Sequence, residues 1–299
     1  MSQPRSRLGV GLSYQGSLRE FVRENLEAYD FLEVIPDIFW TEERDPDGAL
    51  RFRENPEGLR LLDWVAARRP LVAHSVGMSL GSAEGGFSPD YVAQLARWQR
   101  RYHFAWLSEH LSFTRLPHTH GEHMDIGVML PVPYDEDTLE LLAGRVAQVR
   151  QAVDAPFLLE NNVFYYQLPE QELSEPAFLR RLGERTGSGL LLDLHNLYTN
   201  ARNHGFSPLD FLEALDLSQV VELHIAGGYE WQGFYLDAHS GACPEPVWEL
   251  LEQVLPRLPN LGGVVFEMFG NYVPLLGTDV LLGELRRLRG VLERHGGRP

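Results

Sequence analysis

The stretch Gly189–Asp193 has the sequence Gly-Leu-Leu-Leu-Asp, a short apolar run that starts at a turn residue and ends on a carboxylate. A run of this length and composition predicts a β-strand. Short apolar runs of the same kind recur along the whole chain. The seven further predicted strands are Leu8–Leu12, Phe31–Ile35, Leu71–His74, Phe104–His110, Phe157–Glu160, Val220–Ile225 and Val264–Glu267.

Amphipathic stretches lie between these strands. Ser88–Arg101 has a serine cap followed by proline at the first helical position, and Asp135–Val153 carries apolar residues at near-helical spacing. The other predicted helices are Ser17–Tyr29, Ser174–Arg185, Ser207–Leu215, Pro244–Leu255 and Thr278–Glu293. Strands that alternate with helices pair in parallel through right-handed crossovers. Eight such strands in 299 residues predict one α/β domain, residues 1–299, folded as a (β/α)₈ TIM barrel.

An open, doubly wound sheet is the structural alternative. It normally carries a glycine-rich turn after its first strand. Here Gly9-Val10-Gly11 lies inside the predicted strand, and no third glycine follows at the required offset. A dinucleotide site is therefore poorly supported.

The composition excludes several classes of function. Lysine is absent and all 26 basic residues are arginine, which excludes Schiff-base aldolases, lysine-anchored pyridoxal phosphate and a P-loop lysine. The formal net charge of −16 repels phosphate backbones and suits metal cations, so we expect no nucleic-acid partner.

The cysteine content and the hydropathy of the chain predict a cytoplasmic protein. Cys243 is the one cysteine, so no intrachain disulfide forms. No apolar run approaches the roughly 18 residues of a membrane span, and Met1–Val10 lacks the apolar stretch of a signal peptide.

Polar side chains gather where the predicted strands end. In a (β/α)₈ barrel these ends form one mouth, and that mouth carries the active site. Asp237 and His239 follow the seventh strand, and Asn196 follows the sixth in Asp-x-x-Asn spacing. The residues at the ends of the second to eighth strands are Glu33, His74, Glu109-His110, Glu160-Asn161, Asp193, His224 and Glu267.

This inventory predicts a metal site at the mouth. Converging carboxylates would repel each other. Bound cations attract each carboxylate and so offset that repulsion. The set exceeds the coordination shell of one ion, which favours two or three ions with bridging carboxylates. Mixed imidazole and carboxylate ligands suit iron, manganese or zinc.

The chain resembles the DUF692 family, the multinuclear non-haem iron-dependent oxidative enzymes, which include the methanobactin-type oxazolone synthases. The resemblance covers nearly the whole chain. The segments that carry it are Gly9–Ser13, Phe31–Ile35, Ala73–Ser75, Ser108–Ser112, Leu158–Asn162, Leu191–Asn200, Leu223–Gly227 and Asp237–His239.

The resemblance implies a xylose isomerase-like TIM barrel and an oxidative enzyme of peptide natural-product biosynthesis. It implies two or three iron ions, ferrous and ferric together, with dioxygen as co-substrate. The implied substrate is a residue of a ribosomally made precursor peptide, usually cysteine and in some members aspartate or asparagine, presented by a partner protein. The implied metal ligands are His74, His110, Glu160, Asp193, Asn196, His224, Asp237, His239 and Glu267.

Two further residues are candidates for catalytic roles. Family members often have two asparagines where this chain has His195-Asn196, so His195 is open to three roles: metal ligand, hydrogen-bond donor or substrate contact. We choose Asn196 as the ligand, because on a strand-end loop only one of two successive residues faces a site. For Glu33 we prefer the orientation of a histidine over metal binding.

Three other features have simpler interpretations. The run His118–His123 contains three histidines, and we interpret it as a solvated loop at the mouth. Cys243 is expected to be a small, partly buried loop residue. The aromatic run Phe164–Tyr166 follows the fifth strand and is expected to wall a peptide groove.

Other functions compete with the oxidative one. The ligand set also permits a trinuclear zinc phosphodiesterase resembling endonuclease IV, although the negative charge and the lack of lysine argue against DNA as its substrate. A metal-dependent sugar isomerase usually relies on a catalytic lysine, which is missing. A non-catalytic metal-binding scaffold would need no open coordination position.

Overall fold

The computed structural model describes residues 7–44, 50–83, 85–117, 123–169 and 171–296. The strands are β1 Gly9–Ser13, β2 Phe31–Val34, β3 Trp40–Arg44, β4 Leu50–Glu54, β5 Leu71–Ser75, β6 Leu107–His110, β7 Ser112–Pro117, β8 His123–Pro131, β9 Phe157–Glu160, β10 Gly189–Asp193, β11 Val220–Ala226, β12 Tyr229–Trp231, β13 Phe234–Leu236 and β14 Gly263–Glu267. The α-helices are α1 Arg19–Glu24, α2 Pro56–Ala66, α3 Pro89–Tyr102, α4 Glu136–Ala152, α5 Glu175–Thr186, α6 Leu194–His204, α7 Pro208–Ala214, α8 Glu245–Val254, α9 Val273–Leu276 and α10 Thr278–Arg294.

Eight strands form a closed barrel in the order β1-β14-β11-β10-β9-β6-β5-β2. This confirms the predicted (β/α)₈ barrel, and every predicted strand overlaps an observed one. The largest difference is at β6, which begins at Leu107 and not at Phe104. None of the helices in the described ranges is long and apolar enough to cross a membrane.

The contacts divide the chain into two compact units. The first comprises residues up to Glu33 and from Leu190 onward. Within it, β1 pairs in parallel with β2 and β14, and β11 pairs in parallel with β14 and β10. Gly11 and Gly263 leave room for the ring of Phe31, because a Cβ at either position would lie within 2.6 Å of that ring. The register also places Asp193 beside His224 at the strand ends.

The second unit runs from Val34 to Gly189. Its strands β5, β6 and β9 pair in parallel, and their register aligns His74 with Ser108 and His110 with Glu160. Because the carboxyl ends of parallel strands meet at one edge, the register alone brings these polar side chains together.

Several elements were not predicted. Helices α2, α6 and α9 and the hairpins β3–β4, β7–β8 and β12–β13 lie in stretches for which the sequence predicts no helix or strand. The prediction of a strand-end loop after Asp193 was wrong, because α6 starts at the next residue. Asp193 is its cap: Oδ1 accepts hydrogen bonds from the backbone amides of His195 at 2.6 Å and Asn196 at 2.8 Å. The predicted helix Ser17–Tyr29 is also broken, with only Arg19–Glu24 α-helical.

Candidate metal centre

The second unit holds a cluster of His74, His110 and Glu160, which we call the β9 cluster. The two Nε2 atoms of the histidines lie 3.1 Å apart, and Oε2 of Glu160 lies 3.4 Å from Nε2 of His74. Ligand atoms that share one ion at bonds of about 2.1 Å lie about 3 Å apart. The β9 cluster therefore has the spacing of a metal site.

Neighbouring polar side chains orient the two imidazoles. The hydroxyl of Ser108 lies 2.9 Å from Nδ1 of His74, which leaves Nε2 facing His110. Nδ1 of His110 lies 2.7 Å from Oε2 of Glu160 and 2.9 Å from the amide oxygen of Asn162, whose Nδ2 donates to the carbonyl of Leu111. Such partners fix the tautomer and the ring orientation of metal-binding histidines.

Glu109 takes no part in the β9 cluster, although it precedes His110. Its Oε2 accepts a hydrogen bond from the backbone amide of Met78 at 3.1 Å. Successive residues of a strand point to opposite faces of the sheet, so the side chains of Glu109 and His110 cannot both face the β9 cluster. Burial raises the pKa of Glu109 to about 8.

The first unit holds a larger cluster, which we call the β11 cluster. Oε2 of Glu267 lies 3.1 Å from Nδ1 of His224 and 3.7 Å from Nε2 of His239. Oδ1 of Asp237 lies 2.8 Å from Nε2 of His239. Ligand atoms of Asp193, His239 and Glu267 all lie within 4.8 Å of one another. The members of the β11 cluster are Asp193, His224, Asp237, His239 and Glu267.

The electrostatics of the β11 cluster are those of acids packed around imidazoles. Burial by itself would lower the pKa of His239, but the carboxylates of Asp237 and Glu267 outweigh it and raise that pKa to about 10. Burial would raise the pKa of Asp237, yet the neighbouring imidazoles of His239 and His195 hold it well below its usual value. A bound cation would take the place that the imidazole protons occupy here.

The backbone of His239 supports a functional interpretation. Its φ of 45° lies in the left-handed region, which non-glycine residues rarely adopt. Such strain gathers at functional sites. The ring of Phe269 covers the imidazole of His239 at 4.4 Å between centroids, and the Phe269 amide donates to the His239 carbonyl.

His195 and Glu33 both contact the β11 cluster. Nδ1 of His195 lies 2.9 Å from Oδ1 of Asp237. Oε2 of Glu33 lies 2.9 Å from Nε2 of His224, and both side chains are fully buried. The structure thus places Glu33 against the edge of His224 opposite to Glu267. Asn196 is buried on the first turn of α6.

Sequence reasoning missed Glu222. Its carboxylate lies within 4.8 Å of ligand atoms of Glu33 and His224, and the residue is fully buried. Glu222 could have been recognised as a candidate from its spacing, because it lies two positions before His224 and residues i and i+2 of a strand share a face.

The donor set fits transition-metal ions. Each cluster combines imidazole nitrogens with carboxylate oxygens, the mixture that suits iron, manganese or zinc. Among the residues that the structure describes, Oε1 of Glu33 and Nε2 of His195 are buried without a hydrogen-bond partner. Buried polar atoms of this kind indicate a bound ion or water as their partner.

The other candidate residues lie in less specific surroundings. Residues 118–122 of the histidine-rich run lie outside the described residues. Cys243 is buried, its backbone amide donates to Glu284, and burial holds its thiol pKa well above its ordinary value. Tyr165 and Tyr166 are 39% and 46% exposed, so they are available for contacts with another molecule.

A family model described as "RiPP precursor modification enzyme MbnB/TglH/ChrH" matches residues 8–293. The chain belongs to this family. The RiPP modification enzymes act on ribosomally made peptide precursors, as the description states. The expected family is therefore confirmed.

Individual relatives support the same family assignment. A UPF0276 protein from Caulobacter vibrioides (strain NA1000 / CB15N) is 32% identical over 296 residues, which are 98% of each chain. A UPF0276 protein from Chromobacterium violaceum is 35% identical over 229 residues, 76% of this chain and 79% of its own.

Solved structures agree on the fold. D-psicose 3-epimerase superimposes with a TM-score of 0.57 at 12% identity, covering 97% of this chain and 100% of its own. A xylose isomerase-like TIM barrel protein from Mycobacterium smegmatis, crystallised with magnesium, has a TM-score of 0.57 at 12% identity, covering 99% and 100%. At this identity the likeness shows the xylose isomerase-like barrel and nothing about the reaction.

Proposed function

We propose that the protein is a multinuclear non-haem iron enzyme that uses dioxygen to modify a residue of a ribosomally made precursor peptide. The observation that carries the proposal is the pair of buried imidazole–carboxylate clusters in a chain of the RiPP modification family. We place the reaction in the cytoplasm, where ribosomal precursors are made, and infer that a partner protein presents the peptide.

The ions would be held by the nine ligands inferred from the sequence. The β9 cluster of His74, His110 and Glu160 would hold one ion. The β11 cluster, with Asn196, would hold one or two more, because five charged or imidazole groups exceed what one ion needs beside an open position. Glu267, whose Oε2 lies near both His224 and His239, would be one of the residues that hold these ions.

Bound iron would supply the redox chemistry with dioxygen and would lower the pKa of a coordinated substrate thiol. Residues of the chain itself have three tasks. Glu33 accepts a hydrogen bond from the Nε2–H of His224 and so turns Nδ1 toward Glu267. His195 holds Asp237 through the contact at 2.9 Å. Most side chains of both clusters are buried, which limits the contact of water with them.

Cysteine is our first choice for the modified residue, followed by aspartate and asparagine. A thiolate is a strong ligand for iron, and the clusters offer no cationic lysine that could activate a substrate in another way. The alternative is a metal-dependent phosphodiesterase of the endonuclease IV type, which requires the same ligands but neither dioxygen nor a peptide.

Co-expression tests this proposal. The enzyme is produced with candidate precursor peptides taken from the short reading frames around its gene, with and without oxygen, and each peptide is analysed by mass spectrometry. We expect an oxidative mass change that requires oxygen and is lost in His110→Ala. An unchanged peptide, together with zinc-dependent cleavage of bis-p-nitrophenyl phosphate, would establish the hydrolytic alternative.

A further inference from the structure

The hairpin β12–β13 carries an exposed aromatic face beside the β11 cluster. Tyr229, Trp231 and Phe234 are 43%, 57% and 44% exposed. Tyr229 and Trp231 share a face of β12 because they are two residues apart, and Phe234 pairs with Trp231 across the hairpin. These three rings therefore form one surface. The ring of Phe269, which is 41% exposed, contacts that of His239 in the same unit.

The opposite face of the hairpin is firmly attached to α6. Tyr235 is buried and its ring contacts those of Tyr198 and His195. Glu230, whose side chain shares that face, forms an ion pair with Arg202. The hairpin is thus fixed on one face and presents aromatic rings on the other.

One edge of the hairpin is capped and the other is open. The backbone amide of Tyr235 donates to Oδ1 of Asn203 at 2.8 Å, and its carbonyl accepts from Nδ2 at 2.9 Å. Because both backbone groups of Tyr235 point away from β12, those of its partner Glu230 point away from β13. Throughout the described ranges, no strand pairs with that outer edge of β12.

The open edge leads toward the metal ligands. Asp237 lies two residues beyond Tyr235, and Glu230 stands opposite Tyr235. A strand that pairs with β12 at Glu230 would therefore reach the level of Asp237 after about two residues, or roughly 7 Å. An open edge strand with exposed aromatic side chains is otherwise a liability for aggregation.

We propose that the precursor peptide binds as an additional β-strand on the open edge of β12, with alternate apolar side chains on the face of Tyr229, Trp231 and Phe234. This mode takes affinity from backbone hydrogen bonds and specificity from alternate side chains. The proposal rests on the proposed function, because that function supplies a peptide as the occupant. It adds where the peptide lies and which of its features are recognised.

A displayed library of random 12-residue peptides is the probe, selected on the full chain under anaerobic conditions. The best binder is synthesised with a fluorescent label, and its affinity is measured by anisotropy for the wild type, Trp231→Ser and Leu209→Ser. Leu209 is a matched control at 41% exposure on α7. We expect a loss of at least 10-fold for Trp231→Ser and less than 2-fold for Leu209→Ser.

A backbone scan of the same peptide tests strand addition without changing the protein. N-methylation at successive positions should weaken binding at least 10-fold at the residue that pairs with Glu230 and less than 2-fold at its two neighbours, because β12 has three residues and alternate amides face it. Equal effects at all positions, or full affinity of Trp231→Ser, would overturn the proposal.

Failure of this proposal is distinguishable from failure of the proposed function. Binding is measured on metal-free and iron-loaded protein, whereas iron content and peptide oxidation are measured separately. Normal iron and oxidation without the alternating pattern would overturn strand addition alone. The alternating pattern in a chain that binds no iron would support strand addition and contradict the iron enzyme.

Discussion

Glu33→Gln tests whether a buried carboxylate tunes the β11 cluster. Gln keeps the size of the side chain and an oxygen acceptor, and it removes the negative charge that lies 2.9 Å from Nε2 of His224. Both side chains have 0% exposure, so water cannot replace the lost interaction. Nδ1 of His224 lies 3.1 Å from Glu267 on the other edge of the ring. The substitution should therefore act on metal binding through His224.

The expected magnitude follows from this arrangement. Loss of a partner that orients a metal-binding histidine typically costs 10- to 100-fold in metal affinity. That range corresponds to about 1.4–2.8 kcal/mol in binding free energy. We expect Glu33→Gln to fall within it, and Glu33→Ala, which also removes the acceptor, to lie at its upper end or beyond.

The assay is anaerobic competition for ferrous iron with a colorimetric chelator. Glu54→Gln is the matched control, because Glu54 accepts hydrogen bonds from Trp98 at 2.7 Å and Gln94 at 3.0 Å and belongs to neither cluster. Glu54→Gln should bind iron within 2-fold of the wild type. An iron affinity of Glu33→Gln within 2-fold of the wild type would refute the assigned role of Glu33.

Three further predictions follow. His74→Ala should remove one iron from the β9 cluster and leave the others, measured as metal per chain by plasma mass spectrometry; loss of all iron would contradict separate clusters. Asn196→Ala should lose one iron and most turnover, whereas His195→Asn should keep the metals with modestly changed turnover; the reverse pattern would exchange their roles. Burial raises the pKa of Glu175 from 4.5 to about 8, so its contribution to stability is complete below pH 4.5 and is lost as pH rises through 8. Urea unfolding should show Glu175→Gln more stable than the wild type by up to about 4–5 kcal/mol at pH 9, with little difference at pH 4.5; equal stabilities at pH 9 would show that the carboxyl ionises freely.

The barrel could be predicted from the sequence because its strands are buried and apolar. A strand such as Phe157–Glu160 has no polar residue before its end, so its bounds are visible in composition alone. The polar residues at the ends predicted one group of ligands at the mouth, since parallel strands place equivalent ends side by side; its division into two clusters was not predicted. His110 beside Glu160 in the register is one such pair.

The missed elements lacked the signals on which the prediction relied. Helix α6 follows β10 without a loop, and its cap is Asp193, a residue already interpreted as a ligand. The β12–β13 hairpin turns on Gln232-Gly233, with φ of 49° and 87°, and Gln is not a usual residue for the first of two left-handed positions. The short strands on either side are too exposed to show a buried pattern.

The particular side-chain pairs of the site were beyond sequence reasoning, which expected Glu33 to orient a histidine without indicating which one. His195 and Asp237 are 42 positions apart, and Glu33 and His224 are 191 apart. Their pairing depends on side-chain directions that a strand list does not specify. Glu222 could have been found, because it shares the face of His224 on β11.

Anomalous X-ray scattering from crystals of anaerobically purified protein tests the central claim most directly. Data collected just above and just below the iron absorption edge identify iron atoms and their positions. We predict iron peaks beside His74, His110 and Glu160 and beside Asp193, His239 and Glu267, each lost below the edge. Peaks at these residues that persist below the iron edge and change at the zinc edge, or no peaks at either cluster, would contradict the account.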